Sequence, residues 1–274
     1  MTVGRIACSI RAMAAAPTDL PASLLVERDN DVAILTLNRA DKRNALDDAT
    51  MVAIGQFFVR PPEWARVVVL AAAGDHFSAG LDLGELTGRD AVAGLHHSRM
   101  WHETFARIES GQLPVIAVLK GAVVGGGLEL AAAAHVRVAE NSAFFALPEG
   151  QRGLFVGGGG SVRLPRLIGT HRMTDMMLTG RVLDADEAAA AGLAQYRVPD
   201  GAGLTLAREL AARVARNSPL TNYAVIQALP RIAQAPPETG LLLESLMAAV
   251  VQSSQEAKDR MAAFLNGRGS KVGD

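Results

Sequence analysis

Apolar residues recur in two different rhythms along the chain. Residues 24–27 and 32–37 are short β-rich runs on either side of the polar Asp29-Asn30-Asp31, which predicts a hairpin at the start of the fold. The rhythm then lengthens. Residues 47–59 read as a helix, 67–72 as a buried strand, 90–110 as a long helix and 115–119 as a second buried strand entered through Pro114. Strand, helix and strand in that order predict right-handed parallel crossovers. Residues 136–139 and 143–147 read as two more short strands around Glu140-Asn141-Ser142. From Arg163 onward the pattern is mostly helical, broken at Pro199-Asp200-Gly201 and Ala235-Pro236-Pro237. The economical division is an α/β core over residues 24–200 and a helical region over 201–274. Leu241, Leu242, Leu243, Leu246 and Met247 give that helical region more apolar surface than a terminal helix pair can hide, which predicts subunit contact.

Composition narrows the function classes. The 274 residues are 49% hydrophobic and 20% charged, enough for one large core and incompatible with disorder as the main state. Lys and Arg number 27 against 28 Asp and Glu, a net charge of −1 that supplies no field for nucleic acid or an anionic membrane surface. No apolar run reaches the roughly 18 residues of a membrane-spanning helix. Neither nucleic acid nor membrane is an expected partner. Cys8 is the single cysteine, so neither an intramolecular disulfide nor a cysteine metal centre is expected, and a cytoplasmic setting follows. Residues 1–23, with Arg5 and Arg11 among Ala and Ser, read as a disordered extension.

Three glycine-rich or proline-fixed bends carry the candidate chemistry. Residues 118–130 place Gly125-Gly126-Gly127 between a strand and a helix. There a ligand atom can approach the backbone and the first helical N–H groups lack partners. An oxygen gaining negative charge would be stabilised there by amides and the helix dipole. Glu129 follows Gly126 by three positions, on the face that looks toward such a ligand; the same position also suits a carboxylate that only complements the helix terminus. A second bend, residues 73–83, offers the Leu81 N–H behind the small Ser78, Ala79 and Gly80. Pro148 fixes the third, so that Glu149 projects from a rigid strand end, either as a second proton-transfer group or as a solvated carboxylate.

Other chemistries fit poorly. Gly125-Gly126-Gly127 is not a dinucleotide fingerprint, and no glycine loop ends in Gly-Lys-Ser or Gly-Lys-Thr. His96, His97 and His102 do not share a helix face well enough to hold a metal. His76 stands where a nucleophile elbow around Ser78 would need glycine.

Taken in order, Leu37-Asn38-Arg39 with Asn44-Ala45-Leu46, then residues 77–83, then residues 125–129, then Pro148-Glu149 with Gly157, resemble the successive signatures of the crotonase family, the enoyl-CoA hydratases and isomerases. The resemblance spans about residues 24–267. It implies a ββα superhelical α/β core with a C-terminal helical region that trimerises, in trimers or dimers of trimers. It implies that the Leu81 and Gly126 amides hold the thioester oxygen while Glu129 and Glu149 transfer protons in adding water to a 2-enoyl-CoA. Ala79, Gly80, Asp82, Gly125 and Gly157 would bind the acyl thioester, with Lys42 and Arg43 near the phosphates. Phe264, with Arg268 following Gly267 at the usual lysine position, would approach the CoA of a neighbouring subunit. CoA would be part of the substrate, with no separate cofactor and no metal. Arg152 would pair with Glu149 and lower its pKa, which would favour an isomerase. Isomerase, hydrolase or lyase chemistry on the same thioester, or a non-catalytic CoA-binding scaffold, are the alternatives.

Overall fold

A computed structural model describes residues 20–86 and 88–268; residues 1–19, most of the expected extension, lie outside the described residues. The last residues of that stretch join the fold. Leu20 packs against the core, and Ser23 accepts a hydrogen bond from Thr50 Oγ1.

Strands β1 (Leu24–Asp29) and β2 (Val32–Leu37) form the expected antiparallel hairpin, its two-residue loop closed by Asn30 at φ 53°. Strands β3 (Val67–Ala72), β4 (Val115–Leu119), β6 (Val136–Glu140) and β8 (Tyr196–Val198) extend it in parallel, giving a six-stranded sheet in the order β1-β2-β3-β4-β6-β8. Every residue of β3 and β4 is buried, as covering both faces of a parallel sheet requires. The alternation of side chains along each strand divides the interior in two. Leu35, Val68, Leu70 and Ala117 face the larger core; Ile34, Val67, Val69 and Ile116 face the other side.

That second face is covered by α7 (Gly203–Ala215) through Ala207, Leu210, Ala211 and Ala215. The division expected at residue 200 therefore falls just before a helix that packs on the sheet itself. The helices that stand away from the core are α8 (Pro219–Gln234), α9 (Pro237–Ser253) and α10 (Gln255–Leu265), with Ile226 the buried residue of α8, Gly240 that of α9 and none in α10.

On the larger-core side, α1 (Asp48–Val59) and α2 (Ala91–Glu109) pack together, each started by an aspartate, Asp47 or Asp90, accepting from a backbone N–H three residues on. Above the sheet edge, β5 (Ala122–Val124) pairs in parallel with β7 (Phe144–Ala146), and isolated bridges add Ser78 beside Val123 and Leu46 beside Leu81. Helix α3 (Gly126–Ala133) leaves the end of β5 with all eight residues buried. Beyond β7 come α4 (Gly160–Ile168), α5 (Thr170–Thr179) and α6 (Ala185–Ala190). Two strands depart from the sequence reading: β5 was expected as bend, and β8 lies in a stretch that reads as helix.

Candidate active site

Asn44 is 1% exposed and clamps the bend after β3: its Nδ2 donates to the carbonyls of Ala73 (2.9 Å) and His76 (2.8 Å), and its Oδ1 accepts from the Arg39 amide. Ser78 Oγ donates to the Asn44 carbonyl and accepts from the Gly80 amide. The Gly80 carbonyl accepts from Leu46, whose own carbonyl accepts from Asp82, so the chain is held on both sides of Leu81 while the Leu81 N–H has no partner within the protein. Gly80 has φ +91°, and a β-carbon there would lie 2.6 Å from the Val124 carbonyl oxygen and 3.1 Å from the Gly126 nitrogen.

The second bend meets the first at this point. Gly125, at φ +52°, donates to the Ala146 carbonyl, and Gly126 follows as the first residue of α3, where its N–H has no helical acceptor. A β-carbon on Gly126 would lie 3.3 Å from the Leu81 nitrogen and 2.7 Å from Trp101 Cζ3. Two unpartnered amides therefore abut at the positive end of a buried helix.

Glu129, one turn into α3, is 3% exposed; its Oε1 accepts from the amides of Gly158 (2.8 Å) and Gly160 (2.7 Å). A β-carbon on Gly160 would come within 2.8 Å of that oxygen, so a side chain there would displace the carboxyl. Burial raises the Glu129 pKa against these amides. Glu149, at the start of the 3-10 turn Gly150–Arg152, places Oε1 against Gly125, where a β-carbon would be 2.7 Å away. Its Oε2 is buried with no partner within the protein. Burial also raises this pKa; its own backbone amide opposes that, the Glu129 charge adds to it and Arg152 lowers it least. The expected Arg152 pairing that would depress Glu149 is thus overturned, because no ion pair forms and desolvation dominates. Both carboxyls and both amides line one pocket of about 360 Å³, whose apolar lining includes Leu83, Trp101, Leu154 and Phe155.

Comparison with known proteins settles the family. The enoyl-CoA hydratase/isomerase family model matches residues 27–273. The chain belongs to that family. It is 33% identical to the 2,3-dehydroadipyl-CoA hydratase of Escherichia coli over 89% of this chain and 96% of that protein. Identity to the short-chain-enoyl-CoA hydratase of Clostridium acetobutylicum is 31%, over 90% and 95%. A crystal structure from Rhodopseudomonas palustris superposes with TM-score 0.89 at 57% identity, covering 94% of this chain and 98% of that one.

Within this crotonase-type fold, the residues expected at the site divide into two groups. Ala79, Gly80, Leu81, Gly125, Gly126, Glu129, Glu149 and Gly157 all line the pocket. Lys42, Arg43, Asp82 and Phe264 do not. The Asp82 carboxyl is held below its usual range by the Arg39 guanidinium, 3.0 Å away, with Lys42 at 3.8 Å. Arg43 turns the backbone at φ 50° and accepts the Ala79 amide, and Phe264 lies 55% exposed on α10. Sequence reasoning missed Trp101, which wedges against Gly126 and packs edge-on to Phe105 at 5.6 Å. Its signal was the spacing of His97, Trp101 and Phe105 along one face of α2.

Proposed function

We propose that the protein adds water across the double bond of a 2-enoyl-CoA thioester. The observation that carries this reading is the meeting of the Leu81 and Gly126 amides in the pocket that holds two buried glutamates. Family membership and relatives named as hydratases support it.

An unactivated enoyl thioester resists water because charge must move from Cβ onto the carbonyl oxygen. With that oxygen between the two amides, each donor lowers the barrier by about 2.7–4 kcal/mol. Glu129, whose Oε1 already accepts two backbone amides, is the carboxyl better able to remain ionised, and it takes the proton of the attacking water. Glu149, with an unpartnered buried oxygen and a Glu129 charge nearby, is the better proton holder and delivers to Cα. Water oxygen bonds to Cβ, the Glu149 proton to Cα, and the product is a 3-hydroxyacyl-CoA. The enzyme regains its starting state when Glu129 returns its proton to solvent and Glu149 takes one up. Two glutamates lining the same pocket support the hydratase over a single-base isomerase.

CoA is handled here as part of the substrate, with Lys42 and Arg43 near its phosphates and Phe264 and Arg268 meeting it from a neighbouring subunit of a trimer or a dimer of trimers. Leu241 (63% exposed), Leu242 (60%) and Leu246 (56%) on α9 support that assembly. The lone cysteine supports a cytoplasmic setting. Incubation with crotonyl-CoA and longer or aromatic 2-enoyl-CoAs tests the activity. Enoyl-thioester absorbance should fall while mass spectrometry shows the gain of one water. An unchanged substrate across the panel, with folded and assembled protein, would favour the scaffold or another thioester chemistry.

A further inference from the structure

Among the described residues, four buried side-chain polar atoms have no hydrogen-bond partner within the protein, and three of them belong to residues lining the one pocket: Arg89 Nη1, Trp101 Nε1 and Glu149 Oε2. Glu149 has its place in proton transfer. The other two are donors with no acceptor function, and the hydration chemistry uses neither. Leaving a buried donor unpaired is costly, so two in one wall point to an acceptor that arrives with the ligand.

The wall is tied together. Arg89 Nη2 is fixed by Asp48 at 2.7 Å and Glu85 at 3.2 Å. The other Asp48 oxygen holds His97 Nε2 at 2.8 Å, and the His97 ring stands 5.6 Å from that of Trp101. Trp101 is locked in turn between Phe105 and Gly126, so its N–H cannot swing out to find water. Because Trp101 packs against Gly126, this wall begins beside the place assigned to the thioester and leads away along the first half of α2.

The chemistry of the arriving group follows from the local charge. The Arg89 guanidinium is matched by Asp48 and Glu85, which leaves Asp90 and Glu129 against Arg152 around the pocket even with Glu149 protonated. These donors therefore offer hydrogen bonds without a positive field, and an anionic group would meet carboxylates instead. We propose that the acyl group bound here carries a neutral oxygen, a hydroxyl or carbonyl, on its distal part, which accepts from Arg89 Nη1–H and Trp101 Nε1–H. This rests on placing the thioester carbonyl at the Leu81 and Gly126 amides.

The test uses 2-enoyl-CoAs of graded length, each made with a terminal hydroxyl, methyl or carboxylate. They are compared by kcat/KM and, as saturated counterparts that cannot be hydrated, by calorimetric titration. At the best length the hydroxyl form should be preferred over the methyl form by about tenfold or more in both measurements, with the carboxylate form last. Arg89→Met and Trp101→Phe should each bring the hydroxyl-to-methyl ratio close to one; taking both substrates on the same protein cancels any partial loss of fold. Equal or reversed preference at every length, a preference for the carboxylate, or no binding overturns the proposal. A hydroxyl preference in titration without turnover of any thioester upholds it and removes the hydration reading instead.

Discussion

Helix α3 and helix α9 are incomplete in opposite ways. Around α3 every residue of the helix is buried, yet donors and an acceptor in the adjoining pocket lack partners. Along α9 Gly240 is the one buried residue, and leucines at 241, 242 and 246 stand more than half exposed. Unpaired polar atoms in a dry setting call for a polar ligand, whereas an open apolar face calls for another protein surface. The two regions thus differ in chemistry, polar groups at one and apolar surface at the other, and the proposed substrate and subunit contacts follow that difference.

The sharpest way to break that distinction is to neutralise the glutamates. Glu129→Gln and Glu149→Gln should each lower kcat by at least about 10² while light scattering shows the assembly unchanged. A near-normal rate in either variant would remove that residue from proton transfer. A smaller effect on turnover is expected at α9. The double variant Leu242→Glu, Leu246→Glu should shift the solution mass from an oligomer to a monomer with the helix content kept; an unchanged mass would take α9 out of the interface.

The smallest effect concerns stability. A carboxyl whose folded-state pKa is raised favours folding below its ordinary value, and that contribution is lost as pH rises through the raised one. At mildly alkaline pH Glu149 therefore weakens the fold. Glu149→Gln should raise the melting temperature there by roughly 1–2 °C, a modest gain because the group is partly exposed. The gain should fade as pH falls toward the ordinary carboxylate range, near about 4.3. An equal shift at all pH values would mean that packing, and not the charge, sets the difference.

The sequence spoke most clearly where one segment decides its own structure. The all-apolar run 67–72 between Arg66 and the bend at Gly74 is β3 as read, and Asp47 and Asp90 mark helix starts by their own side chains. It was silent where distant segments decide. Ala122–Val124 became β5 because Ser78 and Phe145 lie beside it, partners more than twenty residues away on either side. The face of α7 is rich in alanine, and nothing in its own spacing says that it covers the back of the sheet. The same division holds at the site. Leu81, Gly126 and Glu129 could be read from their bends, but the Gly158 and Gly160 amides that hold Glu129 lie 29 and 31 residues on. Trp101 carried no local sign that its indole N–H would be left unpaired.

The central claim is that the Leu81 and Gly126 amides grip one carbonyl oxygen. Infrared difference spectroscopy of a bound enoyl-CoA with a ¹³C-labelled thioester carbonyl tests it most directly. The account predicts a carbonyl stretch moved to lower frequency than in water, as two fixed donors would polarise it; a stretch at or above the aqueous value would contradict it.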